Sequence, residues 1–560
     1  MAGPEIHVPY LIVGAGPTGM TAARLLANAG RRCLVVERRA TPQPNPSAHV
    51  VNARTLEIFR QAGIDMDAVL ALAKDPADAG HVNFVTRLNG ELIGRLPFER
   101  QGDDCLAHTP TPLRNISQHR LEPLLAAEIA DRPGFELRYA TEWVSSAQDA
   151  DGVTSVIRDV ATGATTTVRS AYVLACDGAG SGVRKSVGIE MVGPASIQDF
   201  VAIHVLANLR PYVADRLGVL HFVMDPAAAG TFIAHDLDRE WVFMTTFDPA
   251  TQSADDFDTD RCTAIVRAAI GDDAAPVEIV RSGTWHMTAQ VAERMRDGRV
   301  FLVGDAAHRF PPTGGMGLNS GVADAHNLVW KLVAVDDGWA GAALLDSYET
   351  ERLPVCRTNC HQSVTNAFQM VVLAQALDLH PGSTSADLAA RLADPAHRDT
   401  IAAGVAAQAT HFDMLGLQLG YVYADGALDR GDAPAPGPIT DPTPFTPDAC
   451  VGSRLPHGWL PDGRSTLDLV PGDGLTLLTS GAHDRWTAAV AGATANDPAP
   501  IRCASLTGAA DPGETWRALA GLGPEAALLV RPDQHVAWRA DTCPTDPVAV
   551  LASALSTILH

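Results

Sequence analysis

The sequence predicts an α/β protein: a parallel sheet flanked by helices, an antiparallel sheet inserted into it, and a small α/β domain at the C-terminal end. Three observations carry this. The chain opens as strand, glycine turn, helix and strand, over residues 10–13, 18–28 and 33–37, with Gly30 placed to end the helix. Between about 190 and 290 the pattern changes to short β-rich runs separated by Pro, Gly and Asp clusters. Residues 431–448 hold six prolines without helical period, and alternating strands and helices follow.

The elements follow in order. Residues 41–49 are a loop by proline content, and 53–62 and 117–130 read as helices. Strands are expected at 135–137, 153–157, 165–168 and, as a buried apolar run, 171–175. The antiparallel strands are 202–206, 219–224, 231–234 and 241–247. Residues 299–303 return to a buried strand, and helices cover 320–336, 342–373 and about 385–410. Beyond the proline-rich linker come a strand at 475–478, a helix near 515–522 and strands at 527–530 and 535–539. The domains expected are therefore 1–190 with 291–395, then 191–290, a helical segment with linker over 396–446, and 447–560.

Bulk properties narrow the partners. The 560-residue chain carries a net charge of −23, which repels nucleic acid phosphates and anionic membranes. No run approaches the ~18 apolar residues of a membrane span, and residues 1–7 lack the basic and apolar regions of a signal peptide. The nine cysteines form no CxxC, as in a reducing compartment, and the protein is expected to be cytoplasmic. Cys356 and Cys360 lie four apart without neighbouring metal ligands, and no metal site is expected.

The first chemical motif is Gly14-Ala15-Gly16-Pro17-Thr18-Gly19, which follows a strand, opens a helix and precedes Glu37 by eighteen residues. Gly14 permits the tight turn, Gly16 lets backbone approach a pyrophosphate, and Gly19 allows close helix–strand packing. The helix N-terminus offers N–H groups to the anion, and Glu37 offers a carboxylate to ribose hydroxyls. This is a dinucleotide site, and the motif alone does not separate NAD from FAD.

The second motif separates them. Gly304-Asp305-Ala306-Ala307-His308 follows the buried strand, and Pro311-Pro312-Thr313-Gly314-Gly315-Met316-Gly317-Leu318-Asn319-Ser320-Gly321 comes next. This block resembles the group A FAD-dependent monooxygenases, the para-hydroxybenzoate hydroxylase-like enzymes. The resemblance implies a Rossmann-type, GR2-like FAD-binding domain in which Asp305 bonds the ribityl chain and the Pro–Gly loop lies along the flavin ring. Glycines at 314, 315 and 317 leave room for a flat ring, and the N–H groups of Leu318 and Asn319 open a helix toward charge gathering on a reduced flavin.

Further matches fill out the site. Asp177-Gly178 resembles the family's DG motif, linked to FAD and NAD(P)H, although an Asp that caps the following helix reads equally well. By the same resemblance Arg38, Arg54 and Gln118 stand with the FAD-binding residues, together with Pro17, Thr18, Pro312 and Gly317. One departure stands out: many relatives carry Pro-Arg in the loop where this chain has Pro46-Ser47, with His49 two residues on. The C-terminal part resembles the thioredoxin-like domain of phenol hydroxylase and polyketide hydroxylase enzymes, and without CxxC it cannot exchange dithiols.

The activity that this resemblance implies is hydroxylation of an aromatic ring, phenolic or polycyclic polyketide-type, with NADPH or NADH and O₂, through a flavin C4a-hydroperoxide. Candidates for the substrate pocket are His204, His221, Met224, His235, Trp241, Met244 and His286; none is singled out as catalytic. A Baeyer–Villiger or epoxidising outcome, or a non-catalytic flavin carrier, fits the same motifs. A flavin halogenase fits less well, for want of a Trp-x-Trp-x-Ile-Pro stretch. Small-molecule partners are expected, and a homodimer is possible.

Overall fold

Residues 5–495 and 499–560 are described by a computed structural model; residues 1–4, the head of the segment read for a leader, lie outside it. The strand Glu5–Val13 is the centre of the first sheet, paired in parallel with Cys33–Val36 on one side and Thr165–Ala175 on the other. Phe135–Arg138 and Val300–Leu302 continue it in parallel at either side. The central stretches Tyr10–Val13, Cys33–Val36, Tyr172–Ala175 and Val300–Leu302 are apolar on both faces because helices Pro17–Asn28, Gln118–Ala130 and Met316–Asp336 cover them. The expected strands at 165–168 and 171–175 are one continuous strand. Its N-terminal half pairs with Val153–Asp159 as well as with the first strand, so the polar Arg169 and Ser170 do not interrupt it.

The second sheet has seven strands in the order Glu278–Met287, Gln198–Leu206, Glu240–Thr246, Gly230–Asp236, Leu220–Val223, His81–Val85 and Leu92–Pro97. The last two come from within the span assigned above to the cofactor domain. In His81–Val85 four successive residues are buried, so no polar alternation marks it as a strand. Side-chain alternation gives this sheet two faces. Val201, Ile203, Val205, Phe232, Trp241 and Phe243 pack on helix Thr259–Ile270. The opposite face, with Leu220, Phe222 and Met224, looks toward Val50 and Phe98 of the cofactor domain and Phe412 of the helical segment. The helix expected over 385–410 breaks at Pro395 into Ser385–Ala393 and Arg398–Ala406.

The C-terminal domain has strand order Ile501–Ser505, Leu475–Thr479, Ala527–Val530, Val536–Ala540, with the first pair parallel and the rest antiparallel, a thioredoxin-like sheet. It does not hang free on its linker. Trp330 and Ala334 of the long helix share an apolar core with Leu477, Trp486, Trp538 and Leu555. Beside that core runs a buried ionic seam. Arg531 donates to both oxygens of Glu351 (2.6 and 2.8 Å), and Lys331 joins at 2.7 Å. Arg454 clasps Glu57 (2.8 and 2.6 Å), which Arg54 also reaches at 3.0 Å. Among the described residues no helix is long and apolar enough to cross a membrane.

Because these charges are fully buried, removing one partner strands another. Glu351→Gln is expected to destabilise the protein by roughly 3–5 kcal/mol, read as a lower urea midpoint. The seam also sets an acid limit. Burial works against ionised Glu57 and Glu351, but Arg454 and Arg54 on the first, and Arg531 and Lys331 on the second, outweigh it and hold each carboxyl at about 2. Their folded values lie below the ordinary 4.5 of a glutamate, so the stabilisation is complete above it and drains away as pH falls toward 2. Tryptophan near-ultraviolet dichroism should follow that loss, and a signal flat across the window would refute it.

Candidate active site

Parallel pairing brings three strand ends, at Val13, Ala175 and Leu302, to one edge of the sheet, and the three glycine motifs follow them there. Gly14 has φ +105°, and a Cβ on it would lie 2.2 Å from the Cys176 carbonyl oxygen. The first turn therefore rests on the Asp177-Gly178 turn. A Cβ on Gly19 would stand 2.1 Å from the Gly14 carbonyl oxygen, and one on Gly321 would stand 2.3 Å from Thr18 Oγ1. Thr18 thus sits where the first helix crosses the Met316–Asp336 helix. Gly16 differs: a Cβ there meets nothing nearer than Glu122 Oε1 at 4.0 Å. It faces open space at the start of a helix that has Pro17 in its first turn and no side-chain cap, leaving N–H groups for an anion.

Glu37 lies against this turn, its Oε2 accepting from the Ala15 N–H at 3.1 Å and its Oε1 from Arg39 Nε at 3.0 Å. Burial opposes the ionised form, and the bonds from Arg39 and Ala15 prevail, lowering its carboxyl. Gln118 donates to Glu122 at 2.8 Å, and Glu122 also accepts the Gln43 N–H at 2.8 Å. Arg39 and Glu122 escaped the sequence reading. Glu122 stands one helical turn after Gln118, which was the available signal.

At the second strand end Asp177 accepts from Ser181 Oγ (2.6 Å) and the Val183 N–H (3.1 Å), so its carboxylate caps the short helix Gly182–Ser186. Gly178, at φ +77°, has open space around it. At the third end, Asp305 is accessible yet deep enough that burial pushes its carboxyl above the usual range. It has no hydrogen-bond partner among the described residues, so it lines an internal cleft as an acceptor. Beneath the turn, Asp324 binds His308 (2.7 Å), Arg352 (2.7 Å) and the Gly304 N–H (3.1 Å). Cys356 approaches the same carboxylate, but the guanidinium already balances its charge, and the cluster serves to hold the turn.

The loop after exposed Pro312 has Gly314 at φ +96° and Gly315 at φ +63°, where side chains would strike Met414 and Val50 at 2.7 and 2.6 Å. Gly315 starts the long helix without a side-chain cap, and the unpaired N–H groups are those through Leu318. Asn319 begins the helical ladder, and its amide acts instead as a staple. It accepts from the Asn52 N–H (2.9 Å) and Thr55 Oγ1 (2.7 Å) and donates to the Val50 carbonyl (3.0 Å). A Cβ on Gly317 would lie 3.8 Å from Asp305 Oδ1. An open glycine turn for a pyrophosphate, an unpartnered acid for a ribityl hydroxyl and a side-chain-free loop for a ring lie along one edge. The residues present fit FAD.

Arg38 follows Glu37, exposed and paired with no described residue. One expected FAD residue stands apart. Arg54 turns away from the cleft, donating to Gln534 Oε1 and the Asp533 carbonyl (both 2.7 Å) of the C-terminal domain. Its helix begins beside the flavin loop, but position 54 lies on the side that meets that domain. The seven pocket candidates divide by strand alternation. Met224, Met244, His204 and His235 share the face toward the cofactor domain. His221 and Trp241 face the helix-covered core, His221 donating to the Gly218 carbonyl at 3.2 Å. His286 is 61% exposed on the outermost strand, paired with Asp199.

Residues 7–363 match the FAD binding domain family, and residues 448–560 match the aromatic-ring hydroxylase C-terminal family. The chain is 36% identical to tetracenomycin B2 monooxygenase-dioxygenase of Streptomyces olivaceus, over 99% of each chain. It is 35% identical to 4-methyl-5-nitrocatechol 5-monooxygenase of a Burkholderia species, over 99% of this chain and 98% of that one. The crystal structure of the flavin-dependent monooxygenase PieE, in complex with FAD and substrate, superposes with a TM-score of 0.93 at 36% identity. That similarity covers 99% of this chain and 100% of PieE.

Asp305→Ala is expected to weaken FAD binding roughly tenfold or more while leaving the thermal midpoint of the cofactor-free protein unchanged, since the side chain has no protein partner to lose. Equilibrium dialysis against FAD measures it; an unaltered affinity would show that Asp305 does not face the cofactor.

Proposed function

Because the chain belongs to the family of FAD-binding aromatic-ring hydroxylases, we propose that it hydroxylates a polycyclic phenol, with NADPH or NADH as reductant and O₂ as oxidant. It is an FAD-dependent monooxygenase of aromatic substrates. The carrying observation is that Phe222 and Met224 of the sheet share an apolar cluster with Val50, the residue that a side chain at Gly315 of the glycine loop would strike. An apolar wall of aromatic and thioether side chains opposite bare backbone suits a flat, extended ring system. Relatives whose names specify tetracenomycin B2 and aklavinone substrates support the polycyclic form, and one named for a nitrocatechol supports the phenolic one.

FAD, when bound, supplies the transfer of electrons from reduced nicotinamide and the activation of O₂. The chain's residues supply the rest. Gly16 and the first-helix N–H groups bind the pyrophosphate, and Asp305 orients the ribityl chain. The uncapped N–H groups through Leu318 would stabilise negative charge gathering on a ring held at the glycine loop. The methionine- and phenylalanine-lined sheet excludes water from the reacting ring, which an oxygen-transferring site requires. Baeyer–Villiger and epoxidising outcomes, and a non-catalytic flavin carrier, are not favoured by relatives named as hydroxylases and monooxygenases. The nine free cysteines support a reducing, cytoplasmic setting, and a homodimer is the assembly to test by light scattering.

With the holoenzyme and NADPH, a polyhydroxylated tetracyclic aromatic is expected to speed flavin reduction roughly tenfold or more over the substrate-free rate and to gain one oxygen by mass. Stopped-flow spectroscopy and product mass measure the two. Reduction indifferent to every aromatic tried, with all O₂ recovered as hydrogen peroxide, would defeat the proposal.

A further inference from the structure

His49, two residues after Ser47 and immediately before Val50, is locked in one tautomer by a chain of amides. Gln101 Nε2 donates to two backbone carbonyls, of Ala79 (3.1 Å) and Phe98 (2.9 Å), which settles the orientation of its amide. Its Oε1 therefore accepts from Asn115 Nδ2 at 3.1 Å. That in turn directs Asn115 Oδ1 at His49 Nδ1, 2.9 Å away. Asn115 Oδ1 can only accept, so the proton resides on Nδ1 and Nε2 carries a bare lone pair. Nε2 has no hydrogen-bond partner among the described residues.

The ring is also fixed in place. It stacks on Phe98 (centroids 6.2 Å apart) and meets the edge of His235 at 5.9 Å. The residue is 9% exposed. The next residue, Val50, is the one a side chain at Gly315 would strike, so His49 stands beside the ring loop, between it and the sheet face of Met224 and His235. Burial, reinforced by Lys74, pushes the imidazole down to about 3, so it is neutral near pH 7. A neutral acceptor in an apolar wall holds an O–H group and offers nothing to an anionic oxygen, which has no proton to donate.

We propose that His49 Nε2 accepts a hydrogen bond from an un-ionised hydroxyl of the aromatic substrate, making His49 a specificity-determining residue and Asn115 and Gln101 its positioning residues. The proposal rests on the aromatic-substrate reading above and names the group that selects the hydroxyl. The proton stays on the substrate oxygen; no transfer to the weakly basic imidazole is involved. The bond orients the ring by its hydroxyl and lends electron density to it.

The test uses FAD-loaded full-length protein and two probes, 2-naphthol and 2-methoxynaphthalene, which share a ring system but not the proton. Perturbation of the flavin visible spectrum reports binding of each to wild type and to His49→Leu. Wild type is expected to prefer the naphthol by roughly tenfold or more, and the variant to bind both within about threefold. A second readout needs no variant fold. In ¹⁵N-histidine-labelled wild type, with His49 assigned by comparison with His49→Gln, Nε2 should be unprotonated and should shift on adding naphthol but not its ether. A preference that persists in His49→Leu, or a protonated Nε2, overturns the role of His49 while leaving the aromatic reading intact. If neither probe perturbs the flavin of wild type, the aromatic reading falls and this one with it.

Discussion

Contact between backbones too close for any side chain is the constraint on which the site depends. Gly14 rests on Cys176, Gly19 on Gly14, and Gly321 on Thr18 and Gly304, each at a distance where a Cβ would overlap its neighbour. These contacts join three segments that are remote in sequence into one edge of the sheet. A parallel sheet supplies the direction, since every strand ends on the same side, and the glycines supply the proximity. Functional glycines lie beside these structural ones. Gly16 and Gly178 have open space where the others have contact, so the same residue type closes the scaffold at some positions and leaves a surface for a ligand at others.

What the sequence made legible follows from that distinction. The glycine turns and Asp305 could be found because their requirements are local: a backbone conformation, a strand before, a helix after. Arg54 was misplaced because its partners, Glu57 excepted, are remote in sequence, in His326, Asp533 and Gln534, and helical periodicity does not say which neighbour a face meets. The strands 81–85 and 92–97 were missed for a related reason. The first is buried almost throughout and pairs in parallel with 220–223, a partner no local pattern announces. Among the pocket candidates, period-two alternation was present in the sequence and sorts Met224, Met244, His204 and His235 from His221 and Trp241; only the side on which the cofactor domain lies had to come from the fold.

The C-terminal domain is bound to the rest by charges as well as apolar surface. Arg531, Glu351 and Lys331 gain little from each other relative to well-packed hydrocarbon, because each had to be desolvated first. What such a seam contributes is register: a slip leaves ions buried without partners, whereas a purely apolar interface tolerates sliding. The seam grips the helices Ala53–Gln61 and Met316–Asp336, and Asn319 ties the start of the second to Val50, Asn52 and Thr55 beside the first. A domain without a dithiol thereby helps to fix the helix that starts at the glycine loop.

The two walls of the cleft then differ in kind. The wall made by the loop at Gly314–Gly315 is backbone, rigid through its left-handed glycines and nearly featureless in shape, which suits a flat ring but cannot tell one substituent from another. The wall made by the sheet is apolar and accommodating through methionine, which excludes water without specifying orientation. Discrimination must come from the few polar groups at the seam between them. Asp305 is one, an acceptor without a hydrogen-bond partner among the described residues, beside Gly317. His49 is the other kind, a group whose hydrogen-bonding sense is dictated by a fully determined chain of amides ending on two backbone carbonyls. A polar group of settled sense in an otherwise undiscriminating cleft has an influence out of proportion to its size, because leaving it unpaired costs more than any single apolar contact returns.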